Sequence, residues 1–257
     1  MKKYKSGGTI CIAGPFNITY AVCNIEYILD EDDSFKYIFT PNYSVIELLE
    51  DDVFQGIPGL NLELKKTQYV RENKTPTFIS ERVPSSNRED YNELLAKVKM
   101  DYMDPILYLI RSKEQYSGDK LFVLGKIKSK TINFDTNNSI KTNNALIKSL
   151  LENICIGNNV KINSRIIDDS NRKIFYDLLI ALYSRSLNHN KELQKNGIEK
   201  AKAERKYKGR KPTYVDELMY YELLDKVNKK EISPKDAANN LGISIDKYYR
   251  LKKKLQN

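Results

Sequence analysis

The sequence predicts an α+β protein: an N-terminal mixed α/β domain, a long helix, and a C-terminal three-helix domain of helix-turn-helix type. Three observations lead there. Short apolar runs broken by prolines fill the first 70 residues; a proline-free stretch from Arg172 to Arg205 keeps an apolar stripe at helical spacing; and Gly242-Ile243-Ser244 separates two short helical patterns near the C-terminus.

In chain order, Ile10 to Ala13, Ile18 to Val22 and Phe35 to Phe39 read as strands, separated by Pro15, Pro41, Pro58 and the acidic turn Asp30 to Asp33. After the Ser85-Ser86-Asn87 start signal, Leu94, Leu95, Val98, Met103 and Ile106 fall near helical spacing and predict one or two helices. Leu121 to Leu124 is a further strand. Together these make a domain over residues 1–130 with no role assigned by its sequence. The Asn-, Thr- and Ser-rich stretch that follows has little to bury, so residues 131–144 are expected to be a linker.

Residues 145–206 then carry a helix from Ala145 to Leu151, a strand at Val160-Lys161-Ile162, and the long helix, with Asp169 or Ser170 placed to cap its start. Phe175, Leu178, Leu179 and Leu182 line the apolar first half of that helix, whereas Lys191, Lys195, Lys200, Lys202 and Arg205 make its second half basic. A helix that turns from apolar to cationic partway points to packing at one end and an anionic partner at the other.

Charge supports that division. Of the 43 Lys and Arg residues, 18 lie from His189 onward against 10 acidic ones, so this 69-residue segment carries +8 of the total +9. Concentrated positive charge is the footprint of a polyanion binder, because each Lys or Arg that neutralises a phosphate releases counterions. No apolar run approaches the roughly 20 residues a bilayer crossing requires. Thr9 to Ala13 is too short for a signal-peptide core, so export is not expected, and the cytoplasm is the expected compartment. Cys11, Cys23 and Cys155 are odd in number and lack metal-ligand spacing, so neither disulfides nor a zinc site is expected. His189 is the only histidine, and the acidic groups at 30–33 and 50–52 lack calcium-loop spacing. No metal, cofactor or catalytic set follows from the sequence.

Residues 207–213 contain Lys208, Gly209, Arg210 and Lys211 before Pro212, too polar to fold alone and interrupted by two helix breakers. They predict an extended basic arm suited to a narrow minor groove. Within residues 214–257 the helices Val215 to Lys229, Pro234 to Leu241 and Ile245 to Leu255 are predicted. Ala238 is the small residue at the helix crossing and Gly242 supplies the tight turn. Ala237, Leu241, Ile243, Tyr248 and Leu251 point inward, and Ser233 and Ser244 are the caps. In that geometry Ile245, Asp246, Lys247 and Tyr249 approach base edges, Arg250, Lys252, Lys253 and Lys254 approach phosphates, and Ser244 at the helix start is counted with the DNA-binding residues. Asp246 would either accept from a cytosine amino group or favour the helix dipole.

The long helix, the string Asn196-Gly197-Ile198-Glu199-Lys200-Ala201-Lys202, the Gly209-Arg210 arm and the unit ending Tyr249-Arg250-Leu251 together resemble the C-terminal half of serine recombinases of the resolvase and invertase family. The resemblance spans roughly Asn144 to Asn257. It implies dimerisation through the apolar half of the long helix, minor-groove contact by the arm and major-groove reading by the last helix. It also shows departures. The family's Glu-Arg pair falls on Ser186-Leu187, and Thr9 to Gly14 lacks the Tyr-x-Arg-x-Ser type motif with its nucleophilic serine. Gly118-Asp119 resembles the family's strand start, but Lys126-Ile127-Lys128 does not continue it. A second resemblance, to the N-terminal subdomain of HipA-type kinases, rests on Phe78-Ile79-Ser80-Glu81-Arg82-Val83-Pro84, Arg88, Asp104-Pro105, Leu107, Ile110 and Gly118.

The expected function is sequence-specific binding of double-stranded DNA by a homodimer, without recombinase chemistry, in a regulatory or accessory role. The alternatives are an active recombinase or other DNA-cleaving enzyme with its chemistry in the N-terminal domain, and a toxin-antitoxin or defence component whose N-terminal domain binds a protein partner.

Overall fold

The computed structural model describes residues 4–113, 115, 118–134, 143–204, 206 and 215–255. It is an α+β protein with a long helix, and the chain divides into two compact units, Met1–Lys191 and Glu192–Asn257.

The first unit is built on an antiparallel sheet of β1 (Tyr4–Ala13), β2 (Thr19–Leu29), β3 (Phe35–Pro41), β4 (Tyr69–Glu72) and β5 (Phe122–Gly125), in the order β4-β3-β2-β1-β5. Ile10, Cys11 and Ile12 are all buried, which identifies β1 as a strand covered on both faces and explains its continuous apolar run. A β-carbon at Gly8 would lie 2.7 Å from Val123 Cγ1, so glycine is what lets β5 close on β1. Short helices α1 (Tyr43–Ile46), α2 (Thr77–Ser80), α3 (Tyr91–Lys97) and α4 (Pro105–Ser112) follow the strands. Helix α4 begins as its sequence dictates. Pro105 occupies its first turn, Asp104 Oδ1 accepts from the Leu107 N–H at 2.7 Å, and Ile106, Tyr108 and Leu109 are buried.

The expected domain boundary is not where the core ends. Thr131–Phe134, assigned to the linker, forms strand β6, which pairs in parallel with β7 (Asn159–Ile162); β8 (Arg165–Ile167) completes this small sheet. Helix α5 (Asn143–Cys155) sends Leu150, Leu151 and Ile154 into the same core as Ile10, Val22 and Phe39. Helix α6 (Arg172–Ala203) adds Tyr176 and Tyr183. Residues up to Lys191 therefore belong with the first sheet, because the apolar faces of α5 and α6 are buried on it.

Arg172 ties these elements together. Its guanidinium is almost wholly buried, at 1% exposure, and donates to the carbonyls of Ile154 at 3.1 Å and Asn158 at 2.7 Å and to Asp169 Oδ1 at 2.8 Å. The Ile154 carbonyl in the last turn of α5 thus receives from Arg172 a donor that a helix terminus lacks, and the Asn158 carbonyl just before β7 receives another. Arg172 in turn holds the Asp169 carboxyl below the usual aspartate range. Asp169 and Ser170 do not cap α6 as expected: Asp169 binds Arg172 and the Ser44 hydroxyl, and Ser170 donates to Asp168. Deeper in the core the Tyr20 and Tyr176 hydroxyls meet at 2.7 Å. At the tip of the β1–β2 turn, Phe16 adopts φ 58° and packs edge-on to Tyr183 at 5.1 Å between ring centres.

The second unit contains α7 (Glu217–Asn228), α8 (Pro234–Asn240) and α9 (Ile245–Leu255). Tyr220, Leu223, Ala237, Ala238, Ile243 and Tyr248 form its core. Gly242 lies at φ +63° with nothing within 4 Å of where a β-carbon would sit. The cost of a side chain there is purely conformational, so Gly242→Ala is expected to destabilise this unit by about 1 kcal/mol, and Gly242→Asn by less, since Asn tolerates the left-handed region. Calorimetry of the two variants measures that order. Among the described residues no helix is long and apolar enough to cross a membrane.

Candidate nucleic-acid interface

The second unit is assembled by local signals. Asp216 Oδ1 accepts from the Leu218 and Met219 N–H groups at the start of α7. Ser233 Oγ accepts from the Asp236 N–H at 3.2 Å, and Ser244 Oγ accepts from the Lys247 N–H at 3.3 Å. Both serines stand where the sequence places its caps. Ala237 and Ala238 are fully covered, so α9 approaches α8 closely after the turn at Gly242. The Tyr220 and Tyr248 rings meet at 5.5 Å between centres, and burial pushes both phenols up from their ordinary pKa.

Burying Tyr248 fixes what the rest of α9 presents. Asp246, Tyr249, Arg250 and Lys253 are exposed and fall at i, i+3, i+4 and i+7 on the face opposite Tyr248. Ile245 is 41% exposed and Ser244 is exposed beside it at the start of the helix, and Lys247 and Lys252 flank the row half-buried. The result is a helix with one face anchored and the other lined by a phenol, a carboxylate and two cations. Chemically such a face suits groove edges, with hydrogen-bonding groups near its N-terminus and cations towards its C-terminus. The arm residues Lys208, Gly209, Arg210 and Lys211 lie outside the described residues, as does the side chain of Lys254.

On α6 the structure separates residues that the sequence grouped as one dimerisation stripe. Leu178 and Leu182 are 55% and 46% exposed, but Phe175 and Leu179 pack partly against the core of their own unit. Tyr176 and Tyr183 are the reason: they turn that side of the helix inward, onto Tyr20 and Phe16. Ile174, at 72% exposure, takes the place of Phe175 in the outward row Ile174-Leu178-Leu182, which its i, i+4, i+8 spacing made readable. From Asn188 to Lys200 the helix is exposed except at the half-buried Ile198.

The positions compared with recombinase chemistry have structural partners. Ser186 Oγ donates to Asn144 Oδ1 at 2.5 Å, and Leu187 packs on the core. Thr9 Oγ1 donates to Asn24 and accepts from the Ile127 N–H. Burial pushes the Cys11 thiol up to about 12, far from a thiolate nucleophile. Arg82 donates to Asp119 and to the Phe78 carbonyl and lies over the Phe78 ring at 4.2 Å, so this buried guanidinium fastens the start of β5 to α2. Among the described residues no group of three or more His, Cys, Asp or Glu side chains is placed to hold a metal ion. No family model matches the chain, and neither does any curated protein or solved structure.

Proposed function

We propose that the protein is a sequence-specific DNA-binding protein of the cytoplasm, acting as a homodimer in a regulatory or accessory role. The observation that carries this reading is the outward row Asp246-Tyr249-Arg250-Lys253 on a helix fixed by Gly242 and Tyr248, within the segment that holds +8 of the chain's charge. In this reading α8 and α9 act as a helix-turn-helix whose second helix enters the major groove, and Lys208 to Lys211 follow the adjacent minor groove. The dimer forms through Ile174, Leu178 and Leu182. Two copies then present two identical readers, so the site is an inverted repeat.

Footprinting and salt titration test the assignment of roles. Arg250→Ala is expected to weaken binding to all duplexes alike and to reduce the slope of log K against log salt by about 0.9, as loss of one phosphate contact does. Tyr249→Ala is expected to alter preference at one base pair with an unchanged salt slope. Equal behaviour of both variants and wild type would remove α9 from the interface. Incubation with supercoiled plasmid carrying the site and Mg2+ is expected to leave it intact; nicking or covalent attachment would favour the DNA-cleaving alternative.

A further inference from the structure

Helix α7 has a face that the proposed DNA contacts leave unused. Tyr220 and Leu223 are buried, and this turns Leu218, Glu222 and Asp225 away from the core at i, i+4 and i+7, with Tyr221 and Met219 at the flanks. Leu218 is 77% exposed, Tyr221 49% and Met219 41%. The caps explain why Asp216 is here, and Tyr221 packs edge-on to Tyr220 at 5.9 Å between ring centres, but no fold requirement explains why Leu218 and Met219 are held in water beside it. Large apolar groups grouped on a surface and rimmed by charge mark interaction sites.

The sign of the rim chooses the partner. Around the first two turns the rim is acidic, with Asp216, Glu217 and Glu222, whereas Lys226 and a Lys229–Asp225 pair at 2.6 Å make the far end of the helix mixed in charge. Phosphates are repelled by such a rim, whereas α9 in the same unit carries Lys247, Arg250, Lys252 and Lys253. The two helices thus present surfaces of opposite character. We propose that the outer face of α7 docks a basic amphipathic helix of another protein, whose apolar ridge covers Leu218 and Tyr221 while its cations meet Glu217 and Glu222. Helix-on-helix docking matches the i, i+3, i+4 spacing of Leu218, Tyr221 and Glu222. It leaves α9 open, so the protein would hold DNA and this partner at once.

The test uses the full-length protein and a fluorescent synthetic peptide with leucine and lysine at helical spacing, together with a scrambled peptide of the same composition. The helical peptide is expected to bind with an affinity that falls as salt rises, and the scrambled one at least tenfold more weakly. Two variants locate the site. Leu218→Ser with Tyr221→Ser removes the apolar groups, and Glu217→Gln with Glu222→Gln removes the charges. Each pair is expected to reduce peptide affinity at least tenfold while leaving DNA affinity and oligomeric state unchanged; circular dichroism confirms that both fold. Equal binding of the two peptides, or undiminished binding by either variant, would overturn the proposal. A change of oligomeric state in the variants would instead assign this face to a second copy of the chain. A loss of DNA affinity would assign it to duplex. DNA binding by the wild-type protein is measured separately, so failure here leaves the reading of α9 standing.

Discussion

Replacing Arg172 with Ala is expected to destabilise the first unit by roughly 3–5 kcal/mol. The substitution removes charged hydrogen bonds to the Ile154 carbonyl in the last turn of α5, which keeps the Gly157 N–H, and to the Asn158 carbonyl just before β7, which loses its buried charged donor. Each unsatisfied buried polar group costs about 1–3 kcal/mol, and the lost side chain leaves a cavity besides. Asp169→Ala leaves the buried Arg172 cation without its carboxylate but with both carbonyl acceptors, so it should also be destabilising, by less than Arg172→Ala. The comparison is informative because an ordinary surface ion pair would give two small and similar losses. Urea denaturation of the two variants measures the difference. Lys at 172 should recover only part of the loss, since a single ammonium does not reproduce the fork that serves two carbonyls and a carboxylate.

The double variant Leu178→Glu with Leu182→Glu is expected to be monomeric and to lose on the order of 100-fold or more in affinity for a full inverted site, while keeping near-normal affinity for a single half-site. Both side chains are already in water, so the stability of the first unit should be unaffected. Phe175→Glu or Leu179→Glu should do the reverse and destabilise the fold, because those positions pack on the core. Sedimentation together with binding to full and half sites separates these outcomes. A dimer that survives the Leu178 and Leu182 changes would place the interface elsewhere.

The reasons these two predictions concern α6 also explain what was legible in the sequence. The helix itself was, since no proline interrupts its 32 residues and its first half keeps an apolar periodicity. Its inward side was not. Phe175, Leu178, Leu179 and Leu182 form one broad stripe on a helical wheel, and only the long-range contacts of Tyr176 with Tyr20 and of Tyr183 with Phe16 decide which half turns to the core. Arg172 was missed for a related reason. A basic residue at the start of a helix reads as a solvated one, and no local signal tells that two carbonyls near residues 154 and 158 need a donor. The linker at 131–144 was read from composition, which reports little to bury locally but not that the same core continues beyond it. In the second unit the local signals suffice. Ser233, Gly242 and Ser244 set helix ends and a turn by short-range chemistry, and Ala237, Ala238 and Tyr248 follow at fixed offsets, so the candidate face on α9 could be named residue by residue.

Selection from a pool of randomised duplexes at moderate salt, with the full-length protein, tests the central claim most directly. The expected result is enrichment of an inverted repeat whose half-sites are joined by an A·T-rich segment, with preference at the repeat lost in Tyr249→Ala. A pool that remains random after repeated rounds, or binding abolished by any duplex competitor irrespective of sequence, would contradict it.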